Sequence, residues 1–395
     1  MARAQGAPTV HGFLQGAFST RLTAPRIGPF ISAEERAQIE IAGSPGHGLD
    51  GYAGKLDLFR DNVGHEWGTD LREGYLDLAF KNARARVGRQ IVTWGVGDLL
   101  FVNDLFPKDW EAFFTGRPIE YLKLGVDAVK VDFYGKGASA EVVVMPGFRG
   151  DRTPRPSRFE MPSPFGALPV TLDTPEASLK NAQIAARVYG RLASFDASAY
   201  FTKGFFRSPS MAPDDPNNPT QLNAFYPELR AYGASLQGAV GPGVVSLEVG
   251  YYDSADDKSG SDPAVPNSQI KFLAGYSRAL SDDLTVGGQY NVEQTQHYGA
   301  YLEGLPPGFP ASPEWRHLLT ARITQMRKHQ TERLSLVAFW SPSDNDFFLI
   351  PQYRLQIDDA TWIEAGLNMF GGKDTTLFGA FDKNDNLFLT YRKSF

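Results

Sequence analysis

One pattern recurs along the chain and limits what it can fold into: an apolar residue at every second position, in runs of roughly ten residues. In FDASAYF (195–201), Phe195, Ala197, Ala199 and Phe201 alternate with Asp196, Ser198 and Tyr200, and VSLEVGYY (245–252), LTVGGQYNV (284–292) and WIEAGLNMF (362–370) repeat the pattern. A period of two places one set of side chains on each face of a β-strand. About 18 such runs can be marked, bounded by turn residues: 10–20, 32–42, 49–59, 70–80, 83–93, 118–134, 138–147, 181–191, 193–202, 228–239, 243–253, 268–279, 283–293, 316–327, 332–341, 346–356, 360–370 and 385–395.

The gaps between runs alternate in length. Short ones such as 81–82, 240–243, 280–283 and 358–359 are followed by long ones at 94–117, 148–180, 203–227, 254–267, 294–315 and 371–384. Two gaps depart from the rule: 341–345 is short where a long one is due, and 43–48 is long for a turn. Short turns at one end and long loops at the other predict a transmembrane antiparallel β-barrel of about 18 strands (16–18), with short periplasmic turns and long extracellular loops. Strands of this length, tilted, cross a bilayer core. A barrel this wide cannot fill its bore with side chains, so the bore holds water and one face of each strand is polar. The whole chain, 1–395, reads as one such barrel, with 94–117 and 148–180 as the loops that could constrict it.

Composition removes other classes. Charged residues make up 21% and hydrophobic ones 42%, which argues against disorder. A net charge of −6 argues against nucleic acid as a partner. There is no Cys, so disulfides, thiolate metal sites and a Cys nucleophile are excluded. The six His are scattered, and neither Gly-x-Ser-x-Gly nor His-Glu-x-x-His occurs. The chain therefore reads as a non-enzyme needing no cofactor or metal. No run of about 18 apolar residues exists. The start, MARAQGAPTVHG, reads as a mature start after removal of a signal peptide.

If the apolar face meets lipid, the polar face names the pore lining. Arg84, Arg86, Lys123, Arg187, Arg191, Arg322, Arg354, Glu364 and Arg392 fall on it. Like-signed groups on neighbouring strands could select solutes by charge; mixed signs could equally cross-link the wall. ARARVGRQIVTW breaks alternation at Gly88–Arg89, where a bulge would turn Arg89 inward. Strand 118–134 shows a similar phase slip near Ala128–Val129. The segment 94–114 is too apolar for a loop in water. Trp94, Asp98, Asp104 and Trp110 are its candidate constriction residues, and 103–114 could form a short helix. It either folds back into the pore or packs as a cap on the rim.

The stretch VGRQIVTWGVGDLL (87–100) resembles the Gly-Arg-Gln region of the alginate-export type of bacterial outer-membrane barrel. The resemblance implies an 18-stranded channel and marks Arg89 and Gln90 as family-type positions. The last run, NLFLTYRKSF, places Leu387, Leu389, Tyr391 and Phe395 on one face and Asn386, Phe388, Thr390, Arg392 and Ser394 on the other. It resembles the carboxyl-terminal insertion signal of bacterial outer-membrane proteins. That implies the barrel-assembly machinery as a partner, with outer-membrane lipid and lipopolysaccharide around the wall. The expected function is a porin for passive diffusion of small hydrophilic solutes, anionic ones among them, in a Gram-negative outer membrane. The alternatives are the sheath of a porin–cytochrome electron conduit, with a periplasmic or cytochrome partner, and an exporter of polysaccharide.

Overall fold

Eighteen strands form one sheet: β1 (Thr9–Arg21), β2 (Phe30–Gly43), β3 (Leu49–Asp61), β4 (Glu66–Ala79), β5 (Ala83–Gln90), β6 (Val126–Tyr134), β7 (Ala138–Met145), β8 (Gln183–Leu192), β9 (Phe195–Phe205), β10 (Glu228–Val240), β11 (Gly243–Ser254), β12 (Gln269–Ser281), β13 (Leu284–Thr295), β14 (Trp315–Arg327), β15 (Glu332–Ser341), β16 (Asp346–Asp358), β17 (Thr361–Gly371) and β18 (Asn386–Ser394). Each pairs antiparallel with its neighbours in sequence, and β18 closes on β1 in a register from Phe13↔Ser394 to Arg21↔Asn386. Phe395 extends the seam by exchanging backbone hydrogen bonds with Gly12, at 3.0 and 2.9 Å. Closure leaves no unpaired edge, which lipid would not tolerate. This computed structural model describes residues 7–23, 27–45, 49–162, 166 and 168–395. The start at 1–6, on which the reading of a processed chain rests, His47, and residues 163–165 and 167 of the loop 148–180 lie outside the described residues.

Each of the 18 runs overlaps one strand, and burial is inverted relative to a water-soluble barrel. Gln15, Arg36, Gln38, Asp57, Asp77 and Glu141 are buried, whereas Leu14, Phe18, Ile39, Ile41, Leu56 and Leu58 are exposed. The apolar face points outward, and the polar face is enclosed.

Three expectations change around β5 and β6. First, β6 begins at Val126 rather than 118, and 118–125 belongs to the preceding loop, with a single 3₁₀ turn at Ile119–Tyr121. The apparent slip near Ala128–Val129 came from counting that loop as strand; the β5–β6 register runs unbroken through both residues. Lys123 therefore lies off the wall. Second, the β4–β5 register is continuous through Gly88, so phase is not reset there. Gly88 is required instead for closeness: its φ is +124°, and a Cβ would sit 2.3 Å from the Gly74 carbonyl oxygen. The bulge lies one strand away, at Arg72, where the β3–β4 register shifts between Lys55 and Leu56. Third, Arg89 consequently keeps the outward parity of Val87. It pairs with Asp127 at 2.7 Å rather than entering the lumen.

The wall is lowest where β5, β6 and β7 run for only 8, 9 and 8 residues, against 12 or 13 in β10–β13. Two of the longest loops, 91–125 and 146–182, leave from this low stretch. Above the barrel, short strands at Val170–Leu172, Ser210–Pro213 and Leu222–Phe225 form a separate three-stranded sheet.

Candidate functional site

The loop 91–125 folds into the bore. Trp94 anchors its start: the ring is buried against Phe106 and Tyr200, and Nε1 donates to Glu141 at 2.7 Å. It thus secures the loop and does not narrow the pore. The chain then reaches β11. There the buried Glu248 carboxylate accepts from the backbone N–H groups of Val96 (2.5 Å), Gly97 (2.6 Å) and Asn103 (3.1 Å), and from the Asn103 amide at 2.7 Å. Four donors from one loop converge on one carboxylate of the facing wall. Asp98, at the tip, pairs with Arg322 of β14 at 2.8 Å, while its N–H donates to Gln289.

The second half of the loop runs towards β16–β18. Its helix is shorter than the stretch 103–114 suggested, covering only Trp110–Phe114 and capped by Asp109, whose side chain accepts from the Ala112 N–H at 2.8 Å. The helix drives Phe114 into an aromatic cluster inside the barrel, with ring centroids 5.6 Å from Phe348, 5.6 Å from Phe370 and 4.7 Å from Phe381. Phe388, the one apolar residue on the polar face of the last strand, belongs to the same cluster. The loop ends by bonding back to the wall: Arg117 to Glu34 at 2.8 Å, and Glu120 to Arg392 at 2.7 Å.

The turn at 95–101 separates spaces on its two sides. Towards the short turns, Val96 and Asp98 line a cavity of 300 Å³ with Gln289 and Arg322, and Gly95 and Val96 line one of 600 Å³ with Arg187, Tyr189 and Arg191. Towards the long loops, Leu99 and Leu100 face an aromatic cavity of 380 Å³, and Phe101 one of 310 Å³ that holds Lys108, Arg207 and Lys271. Trp110 lines both of these upper cavities, with Nε1 bonded to Asp151 at 3.0 Å.

Most of the arginines singled out from sequence face the lumen but are matched by acids. Arg84 and Arg86 share Asp77 (2.8 Å each), Arg187 takes Glu141 (2.9 Å), and Arg354 shares Glu364 with Arg333 (2.8 and 2.7 Å). Arg392 also bonds Gln15, and Arg191 lies 3.7 Å from Asp196. Gln90 is buried and satisfies backbone carbonyls of Gly88 and Ala128, so it lines nothing. The wall is thus largely a cross-linked lattice of mixed sign.

An excess of positive charge gathers on the loops above it. Asp104 is buried between Lys108 and Lys123, 3.1 Å from each. Arg207 makes its bonds to the carbonyls of Leu105 and Arg149 at 2.8 and 3.1 Å, and among the described residues no carboxylate pairs with it. Burial pushes its guanidinium down to about 10, and also lowers the Lys108 ammonium and raises the Asp151 carboxyl. Three cations (Lys108, Lys123, Arg207) stand against two acids (Asp104, Asp151), and Lys271 is paired with Glu293 at 3.3 Å. The sequence reading missed Glu248 as a fastening point and Arg207 altogether. Glu248 is visible as the lone acid on the inner face of VSLEVGYY; Arg207 sits in a loop without periodicity and gave no signal.

Solved structures with this architecture include those of OccD3, OccK5 and OccK11 of Pseudomonas aeruginosa, with TM-scores of 0.59, 0.59 and 0.58. They share 9%, 9% and 10% sequence identity with this chain, cover 98% of it, and are covered over 91%, 97% and 96% of their own lengths. The chain has the fold of the outer-membrane porins. No family model and no curated protein matches the sequence, and the alginate-export family, inferred from the stretch 87–100 with the shared architecture and the terminal Phe395, is not shown.

Proposed function

We propose that the protein is an outer-membrane channel through which small hydrophilic solutes diffuse passively, with a preference for anions set by Lys108, Lys123 and Arg207. The observation that carries this reading is the loop 91–125, which crosses the polar bore and is bonded to the far wall, with cavities on both sides of its turn. Such a loop narrows a wide barrel to a selective passage and places charged groups where a solute must pass. Because the wall arginines are matched by acids, the loop cluster is the best source of charge preference. Insertion through β18 by the barrel-assembly machinery, after loss of a signal peptide, belongs to the same reading. Neither alternative gains support: a cytochrome sheath or a polysaccharide exporter needs a wide bore, and here the chain's own loop crosses it.

The test is conduction by the purified protein in planar bilayers. Discrete conductance steps are expected, and in a salt gradient the reversal potential should lie on the anion-selective side. Arg207→Gln should move it towards zero. A bilayer that stays silent even after deletion of 94–114 would overturn the channel; a reversal potential unmoved by Arg207→Gln would remove the cluster from the selectivity.

A further inference from the structure

The outer face carries one feature that the channel does not use. Across β9, β10, β11 and β12 the outward residues Phe201, Tyr232, Tyr251 and Ile270 lie opposite one another in register and form one level of the wall. Tyr232 and Tyr251 are exposed, and the Phe201 and Tyr232 rings touch at 5.4 Å. Aromatic rows of this kind sit where acyl chains meet headgroups. The next outward level towards the long loops reads Ile184, Lys203, Arg230 and Asp253, again directly opposed.

Lys203 and Arg230 are therefore two exposed cations facing each other across one ladder, an arrangement that repels. Among the described residues neither side chain forms an ion pair or a hydrogen bond. The nearest acid in the level, Asp253, is already held by Lys258, and Glu228 stands one level higher, opposite Phe205. Arg89 pairs with Asp127 and Arg60 stands opposite Glu35, while Arg278 and Lys393, outward with no acid opposite, lie singly at the short-turn end of the wall. An unmatched pair of like charges, just above an aromatic row and on the lipid side, calls for an anion from the membrane itself. Arginine binds phosphate through paired N–H groups, and lysine adds a point charge.

We infer that Lys203 and Arg230 form a binding site for a phosphate group of lipid A in the outer leaflet, with Lys258 at its edge. The inference rests on the outer-membrane reading, yet the two fail separately, since conduction is measured in bilayers that contain no lipid A.

The purified full-length barrel, shown to be folded by its heat-modifiable migration, is titrated in non-ionic detergent with bisphosphorylated lipid A, with its dephosphorylated form, and with inorganic phosphate. Bound lipid is counted by native mass spectrometry. The double variant Lys203→Gln, Arg230→Gln should bind the bisphosphorylated lipid about tenfold more weakly than the natural chain, or worse, given the attraction of each cation for an anionic headgroup. Arg60→Gln should not change it, and the dephosphorylated lipid should bind all three proteins equally. Equal retention of bisphosphorylated lipid A by the natural chain and the double variant would overturn the site. Release of that lipid by millimolar inorganic phosphate would overturn the lipid assignment, leaving a site for a free anion.

Discussion

The inward loop is fastened at two places by opposite means, and the contrast bears on what can move. Its first half is held by polar groups: Glu248 gathers four N–H donors, and Asp98 meets Arg322 in a half-exposed pair. Its second half is held chiefly by packing, with Phe114 against Phe348, Phe370 and Phe381, beside the ion pairs of Arg117 with Glu34 and Glu120 with Arg392. On the lipid side of the wall an exposed Leu gains little by leaving its surroundings, because acyl chains are as apolar as leucine. Inside a wet bore the hydrophobic effect acts in full, so the aromatic cluster stabilises as a soluble core does. Packing should make the second half permanent. Hydrogen bonds, which water can replace, leave the first half able to release.

The largest effect is expected from breaking the packed fastening. Phe348 is fully buried, and its ring lies 4.4 Å from that of Phe370. Phe348→Ala should lower stability by about 3 kcal/mol or more, as a cavity in a rigid cluster costs, read as an earlier midpoint in urea unfolding. A midpoint within error of the natural chain would mean that the cluster only fills space.

That contrast was half legible beforehand. The strands could be read because lipid outside and water inside impose a period of two on nearly every one. The loop obeys no period. Trp94, Phe106, Trp110 and Phe113 announced burial, but not their partners on the wall: Trp94 meets Tyr200 of β9, and Phe113 meets Phe348 of β16, more than 200 residues away. Charge pairing was hidden for the same reason. Arg84 and Arg86 each read as pore-lining cations, and only the β4–β5 register brings Asp77 between them. Arg89 was misjudged because a glycine that permits close backbone approach looks, in sequence, like one that makes a bulge.

The next effect should come from the polar fastening. Glu248→Gln preserves shape, but it removes the charge and points an amide NH₂ at donors that need an acceptor. The barrel should keep its unfolding free energy to within about 1 kcal/mol, read from its urea transition, because the strands are unaffected. The turn 95–101 should be freed, and single-channel conductance should rise, with frequent switching between levels. A steady conductance equal to that of the natural chain would show that the turn stays put without Glu248, and the comparison between the two fastenings would fail.

The smallest effect concerns Asp98, and its sign can be worked out. Burial raises its carboxyl above the ordinary Asp range, and Arg322 offsets only part of that rise. A carboxyl raised on docking holds its proton more tightly docked than free, so docking is favoured as pH falls through the carboxylate range. As pH rises past the docked value, that contribution is lost. The side chains facing Asp98 are those of Arg322 and Gln289. Conductance should therefore be somewhat lower near pH 4 than near pH 7, by less than about twofold, because half-exposed pairs are weak. Asp98→Asn should flatten the profile and leave stability unchanged. If the variant keeps the slope of the natural chain, the pH response lies elsewhere, with the raised Asp151 carboxyl beneath Trp110 the next group to substitute.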